Sequence, residues 1–142
     1  MIRVVIVAVV VAVAFAVALI AQRRAPRPPA RSGHGIPDQL DRADFANPHA
    51  PWLITVFTST TCDVCADAWQ KASVLESADV AVQQIEYQRD RRLHDRYEID
   101  AVPLTLVVDD NGVVRNSFVG PVSATHLWAA VAEARSGPGS PP

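Results

Sequence analysis

Between residues 38 and 135 the spacing of apolar positions keeps changing period, and each change predicts an element. Leu40 and Phe45 are weak apolar anchors for a short helix over residues 38–45. The run Trp52-Leu-Ile-Thr-Val-Phe57 is strand-like, which predicts a strand over residues 53–58. Helical spacing follows, with Val64, Ala68, Ala72 and Leu75 on one face of a segment covering residues 62–76. Near-alternation returns at Val80, Val82, Ile85 and Tyr87, predicting a strand over residues 80–87. Asp90 is a candidate N-cap for a helix ending near Tyr97. A buried-type strand is expected over residues 104–109, and Asp110-Asn111-Gly112 is a strong hairpin turn into a strand over residues 113–119. Ser123 can cap a last helix over residues 124–135, with Leu127, Trp128 and Val131 as its apolar face.

The resulting order is β-α-β-α-β-β-α. Parallel strands need crossovers while a tight hairpin makes its two strands antiparallel. The expected fold class is therefore α/β: a four-stranded mixed sheet flanked by helices on both faces.

Upstream, residues 4–21 hold 18 side chains without a polar group: eight Val, six Ala, two Ile, one Phe and one Leu. As a helix this run would be ~27 Å long, close to a ~30 Å hydrocarbon core. It has no polar stripe, as a core helix would. Residues 1–22 are thus expected to be a transmembrane anchor. A cleaved secretory signal is the alternative, since Ala14-Phe15-Ala16 and Ala16-Val17-Ala18 fit a small-x-small site. Against it, the run exceeds a signal's usual apolar core and ends in Arg23 and Arg24. Residues 23–37 carry Pro26, Pro28, Pro29 and Pro37 and read as an extended tether, and residues 136–142 as a disordered tail.

Charge divides the chain the same way. The first 31 residues carry five Arg and no acid, whereas the remainder has eight basic and fifteen acidic side chains. A domain of net −7 repels phosphate, which excludes a nucleic-acid partner. Arg23, Arg24, Arg27 and Arg31 outweigh Arg3 across the apolar run, and the positive-inside rule then favours a cytoplasmic domain.

The chemistry concentrates in Cys62-Asp63-Val64-Cys65, which holds the only two cysteines of 142 residues. A C-x-x-C between a strand's end and a helix's start makes a thiol into a redox reagent. The helix's free amides stabilise the Cys62 thiolate, and Cys65 lies one turn later, within reach of a disulfide. Asp63 adds a negative charge that opposes this stabilisation, a pKa-tuning role. Zinc would need two more ligands, and His94 and His126 fit no zinc-finger spacing. Haem attachment would need His after Cys65, where Ala66 stands. A copper carrier would draw on His94, which the sequence places on an exposed helix face among Arg91, Arg92 and Asp95. There is no Gly-rich phosphate loop and no Ser-His-Asp set, so no metal and no cofactor is expected.

Over residues 38–135 the chain resembles the thioredoxin family. Three stretches carry the likeness: Val56-Phe57-Thr58-Ser59-Thr60-Thr61-Cys62 with its C-x-x-C; Arg96-Tyr97-Glu98-Ile99-Asp100-Ala101-Val102-Pro103, similar to the family's run into its cis-proline; and Asn111-Gly112 followed by Val119-Gly120. The resemblance implies a cis Pro103 facing the disulfide, with the Val102 backbone pairing to a bound substrate strand. It also implies thiol–disulfide oxidoreductase activity on protein thiol and disulfide clients, with a second dithiol protein as redox partner. Anchored relatives often work outside the membrane, which pulls against the arginine count. The departures are Thr61 where the family has Trp, Asp63-Val64 for Gly-Pro, Leu104 for Thr, and Val56 for the buried acid six residues before the first cysteine. A non-catalytic binding or assembly module with a structural disulfide, or a metal carrier, are the competing readings.

Overall fold

The computed structural model describes Met1 and residues 35–137. The expected anchor apart from Met1, most of the expected tether and residues 138–142 lie outside that range, and among the described residues no helix is long and apolar enough to cross a membrane. Four strands, β1 (Trp52–Thr58), β2 (Val80–Glu86), β3 (Leu104–Asp109) and β4 (Val114–Val119), form one sheet in the order β2-β1-β3-β4. Strand β1 runs parallel to β2 and antiparallel to β3, and β4 is antiparallel to β3. The helices are α1 (Cys65–Ser73), α2 (Arg91–Arg96) and α3 (Ala124–Ser136).

Period-two alternation sorts the sheet's side chains into two cores. Leu53, Phe57, Ala81, Ile85, Leu104, Leu106 and Val108 face one way and meet Leu93 of α2 with Leu40 and Phe45. Trp52, Ile54, Val56, Val80 and Val107 face the other way and are covered by Ala68 and Ala72 of α1 and Leu127 and Val131 of α3. Strand β1 is buried along its whole length because both its faces and both its edges are occupied.

Several expectations are corrected. Residues 38–45 do not make an α-helix: Gln39 bridges to Val113, and only a 3-10 turn forms at Arg42–Asp44, where the Asp41 carboxylate accepts from the Ala43 amide at 3.0 Å. Leu40 and Phe45 are nonetheless buried. Asp90 stands at the cap of α2, but its side chain turns back to accept from the Glu86 amide and from Arg89 Nε (3.3 and 2.9 Å). In α3, where Ser123 Oγ accepts from the His126 amide, the buried stripe is Leu127, Ala130 and Val131. Trp128 is 46% exposed, its indole N–H donating to the Lys71 carbonyl at 3.2 Å. Ala130 fits closer to the sheet than an indole, and that choice rotates Trp128 outward.

His94 is the largest departure. Instead of an exposed face it occupies the first core at 2% exposure. Its Nε2 lies 3.0 Å from the Ile85 carbonyl, which can only accept, so that nitrogen carries the proton. Phe57 and Tyr87 meet its ring edge to face, at centroid distances of 5.1 and 5.2 Å. Helix α2 is a turn and a half long, and it settles on the sheet with Leu93 and His94 both pointing inward.

The hairpin and the N-terminal segment are locked by polar contacts. Gly112 adopts φ +80°, and a Cβ there would run into the Leu40 carbonyl, so only glycine fits. Arg42 is buried and donates to the carbonyls of Asp109 and Ala50 at 2.8 and 2.9 Å. Burial weighs against its charge and lowers its pKa, which Asp110 and Asp109 partly offset. The Tyr97 hydroxyl donates to Asp44 Oδ2 at 2.6 Å and accepts from the Asp41 amide; burial, then the Asp44 bond, push the phenol far above its ordinary range.

Candidate functional site

The cysteine-bearing turn leaves the carboxyl end of β1, where open α/β sheets place their sites. It is built by two consecutive tight turns. The Cys62 amide donates to the Ser59 carbonyl at 3.2 Å, and the Cys65 amide to the Cys62 carbonyl at 3.4 Å. Ser59 Oγ accepts from the Thr61 amide and lies 3.1 Å from the Thr61 hydroxyl, holding the first turn closed. These turns delay the helix: α1 begins at Cys65, not at Cys62 as its spacing suggests. The helical ladder starts with Ala68 donating to Val64.

Cys62 and Cys65 are joined as a disulfide with their Cα atoms 5.5 Å apart. They are not equivalent. Cys62 is half-buried, whereas Cys65 is 3% exposed on the inward face of α1, in line with Ala68 and Ala72. No side chain caps α1, since Val64 at its N-cap has no acceptor, so the first-turn amides remain directed toward the cysteine turn. Asp63 is exposed between the cysteines. Val64 was expected on the buried helix face, but it precedes the helix and is 40% exposed beside the disulfide.

Pro103 is buried and immediately precedes β3, and the Val102–Pro103 peptide is cis, as the resemblance implies. Leu104 is in register with Phe57, so Pro103 comes to the same end of the sheet as the cysteine turn. Its carbonyl accepts from the Gly120 amide at 2.8 Å. Val102 is half-buried against the first core. Val119, in register with Leu104, is 52% exposed at this end of β4.

His94 is not brought to the cysteines. It belongs to the core on the other face of the sheet from α1. Among the described residues no three His, Cys, Asp or Glu side chains converge as a metal site.

Solved structures of similar shape fix the architecture. A mutant thioredoxin from Halobacterium salinarum superposes with a TM-score of 0.56 at 18% identity, over 73% of this chain and 95% of that one. The thioredoxin of Fasciola hepatica gives 0.52 at 18% identity, over 61% of this chain and 83% of its own. The fold is that of thioredoxin. No protein-family model matches the sequence, and no curated protein matches it either. On this thioredoxin fold the cysteine pair sits at the end of β1, with Val56 wholly buried six residues before Cys62.

One layer of the site escaped the sequence reading. Thr105 is directly across the β1–β3 ladder from Val56, and Gln84 is across the β1–β2 ladder from it. Gln84 Nε2 donates to the buried Thr58 hydroxyl at 3.1 Å. Polar residues inside strands that read as apolar were the available signal, but only the strand register shows that they form one row.

Proposed function

We propose that the chain is a membrane-tethered thiol–disulfide oxidoreductase that exchanges disulfides with protein dithiols. The observation that carries this reading is the unequal burial of a joined cysteine pair at the end of β1 of a thioredoxin fold. In the reduced protein the Cys62 thiolate attacks a client disulfide. A Cys62–client bond forms, and one client sulfur leaves as thiolate. The Cys65 thiolate then attacks Cys62 Sγ, restoring the Cys62–Cys65 bond and releasing the second client sulfur. The client gains two electrons, and a partner dithiol protein returns them. Running backwards, the same steps oxidise a client. Val102 and Pro103 form the docking groove beside the disulfide, and no diffusible cofactor takes part.

Residues 1–22 anchor the protein and residues 23–37 tether the domain. The support for both is the apolar run and its flanking arginines, which also favour a domain on the cytoplasmic side. The test has two arms. In the first, the purified chain is titrated in dithiothreitol redox buffers and offered insulin; a pair that never exchanges sinks the oxidoreductase reading and leaves a structural disulfide in a binding module. In the second, reporters follow Pro142 in membranes. Alkaline phosphatase activity without β-galactosidase activity overturns the cytoplasmic placement.

Asp63 tunes the pair. Its negative charge beside Cys62 disfavours the thiolate, so Asp63→Asn lowers the Cys62 pKa and makes the couple more oxidising. Thiolate absorbance against pH measures this. An unchanged or raised pKa in the Asn variant means that Asp63 points away from the sulfur.

A further inference from the structure

Resolution of the mixed disulfide requires a buried thiol to give up its proton, and the wall beneath that thiol contains no ionisable group. Helix α1 starts at the carboxyl end of β1 and runs back along it, so Cys65 at its first position overlies the last rows of the sheet. Val56 belongs to the same buried core as Ala68 and Ala72 of α1. The row at Val56 is Gln84, Val56, Thr105, set by the parallel and antiparallel registers on either side. Side chains opposite each other in a ladder share a face, so Thr105 projects to the α1 side, with Val107 two residues on as a member of that core.

Thr105 is 0% exposed, and its hydroxyl is buried without a hydrogen-bond partner. A hydroxyl left this way costs stability, and replacing threonine by valine at such a place is nearly neutral. Thr55 supplies an internal comparison. It too is fully buried with an unpartnered hydroxyl, but alternation puts it with Leu53 and Phe57 on the opposite face, away from the cysteines.

We propose that Thr105 is the hydroxyl donor for Cys65: when Cys65 becomes a thiolate, Thr105 Oγ–H donates a hydrogen bond to its sulfur. This rests on the oxidoreductase reading and deepens it. In the step itself Cys65 Sγ–H loses its proton to solvent water, the new S–S bond to Cys62 forms, the Cys62–client bond breaks, and the client sulfur departs with the electron pair. Threonine neither gains nor loses a proton. It lowers the pKa of Cys65 by favouring the charged form. On the other side of Val56, Gln84 Nε2 donates to the Thr58 hydroxyl, so within the row Thr105 carries the hydroxyl without a partner.

The other ionisable groups near Cys65 are few. Asp63, Asp67 and Lys71 stand on or beside α1, with Lys71 paired to Asp67 at 2.5 Å. Of the elements packed on that side, β1 carries none, β2 carries Glu86, β3 carries Asp109 at its far end, and α3 carries His126, Glu133 and Arg135, the last paired with Asp79 at the end of the sheet away from the cysteines. None shares the Gln84, Val56, Thr105 row.

The test uses the domain in its full chain with Cys62→Ser, which leaves Cys65 as the one thiol. Thiolate absorbance is followed against pH for three partners: Thr105→Val, Thr105→Ser and Thr55→Val. The Val variant at 105 raises the Cys65 pKa by about one unit, an about tenfold loss of thiolate near neutral pH, as expected for one hydrogen bond to a charged group. Thr105→Ser stays near the parent, and Thr55→Val does not move it. With both cysteines present, release of a Cys62-bound thionitrobenzoate slows about tenfold in Thr105→Val, and the limb of the pH–rate profile shifts to higher pH by the same amount. Equal pKa values in the Val and Ser variants at 105, or an equal shift from Thr55→Val, overturn the inference while exchange by the parent protein continues. Failure of the parent to exchange at all is instead the failure of the oxidoreductase reading.

Discussion

Cys65→Ala arrests the exchange with the client covalently attached to Cys62. In the structure Cys65 reaches Cys62 from the buried side, 5.5 Å away between Cα atoms, while an incoming disulfide meets only the half-buried Cys62. Attack by Cys65 is intramolecular, and well-oriented intramolecular reactions gain effective molarities of 10⁵ M and above. Millimolar external thiol replaces it poorly, so turnover with insulin falls at least about 10³-fold. Mass spectrometry then finds mixed disulfides on Cys62. Cys62→Ser is as inactive but accumulates none, because a thiol at 3% exposure cannot meet a protein disulfide. Adducts on Cys65, or wild-type turnover in Cys65→Ala, reverse the assignment of attacking and resolving thiols.

The second large effect is on stability. Asp109 is 1% exposed at the end of β3 and uses both carboxylate oxygens. Oδ1 accepts from the amides of Asn111 and Val113 at 2.9 Å each, closing the hairpin. Oδ2 accepts from Arg115 Nε at 2.7 Å, with Nη2 at 2.6 Å. Asp109→Ala strips these acceptors from two partly buried amides and is expected to cost about 2–4 kcal/mol, since hydrogen bonds to charged groups are worth about 1.5–3 kcal/mol each. For a domain of this size the melting temperature drops roughly 10–20 °C. Arg115→Ala costs far less, under about 1 kcal/mol, because that guanidinium is 43% exposed and the amides keep their acceptor. Urea melts of both variants decide it. Similar losses in the two would mean that the ion pair, not the hairpin amides, holds this corner.

Much of this architecture could be read from the residues because the local signals agreed. The apolar run predicts a strand over residues 104–109, the bounds that form, and Asn111-Gly112 makes the turn after it. The other three strands each differ from their expected bounds by one residue at one end. In each the hydrophobic period, the flanking turn residues and the length pointed the same way. The cysteine pair was legible for a related reason: two cysteines three apart at a strand's end leave few chemical alternatives.

Where the reading went wrong, local signals were silent. In Arg91-Arg92-Leu93-His94-Asp95-Arg96 four charged residues surround His94, and nothing in that string says that the turn will be pressed onto Phe57 and Tyr87. Trp128 and Ala130 sit on different sides of one helix, and which side meets the sheet depends on how closely α3 can approach Val107 and Ile54. The helix start moved from Cys62 to Cys65 because Ser59 and Thr61 close a turn that side-chain hydroxyls, not hydrophobic spacing, hold together.

The sequence by itself determined the four strands and the three helices after Trp52, their order, the hairpin and the identity of the cysteine pair, because periodicity, turn chemistry and residue type are properties of neighbours along the chain. Only the tertiary structure decided how the strands pair beyond that hairpin, and hence that β1 is flanked by β2 and β3. From that pairing follow the burial of Cys65 relative to Cys62, the place of Pro103 at the cysteine end, and the row that sets Thr105 against Val56. Residues 49 positions apart become neighbours there through register alone, since a ladder fixes each opposite pair and a slip of one residue would turn Thr105 to the other face.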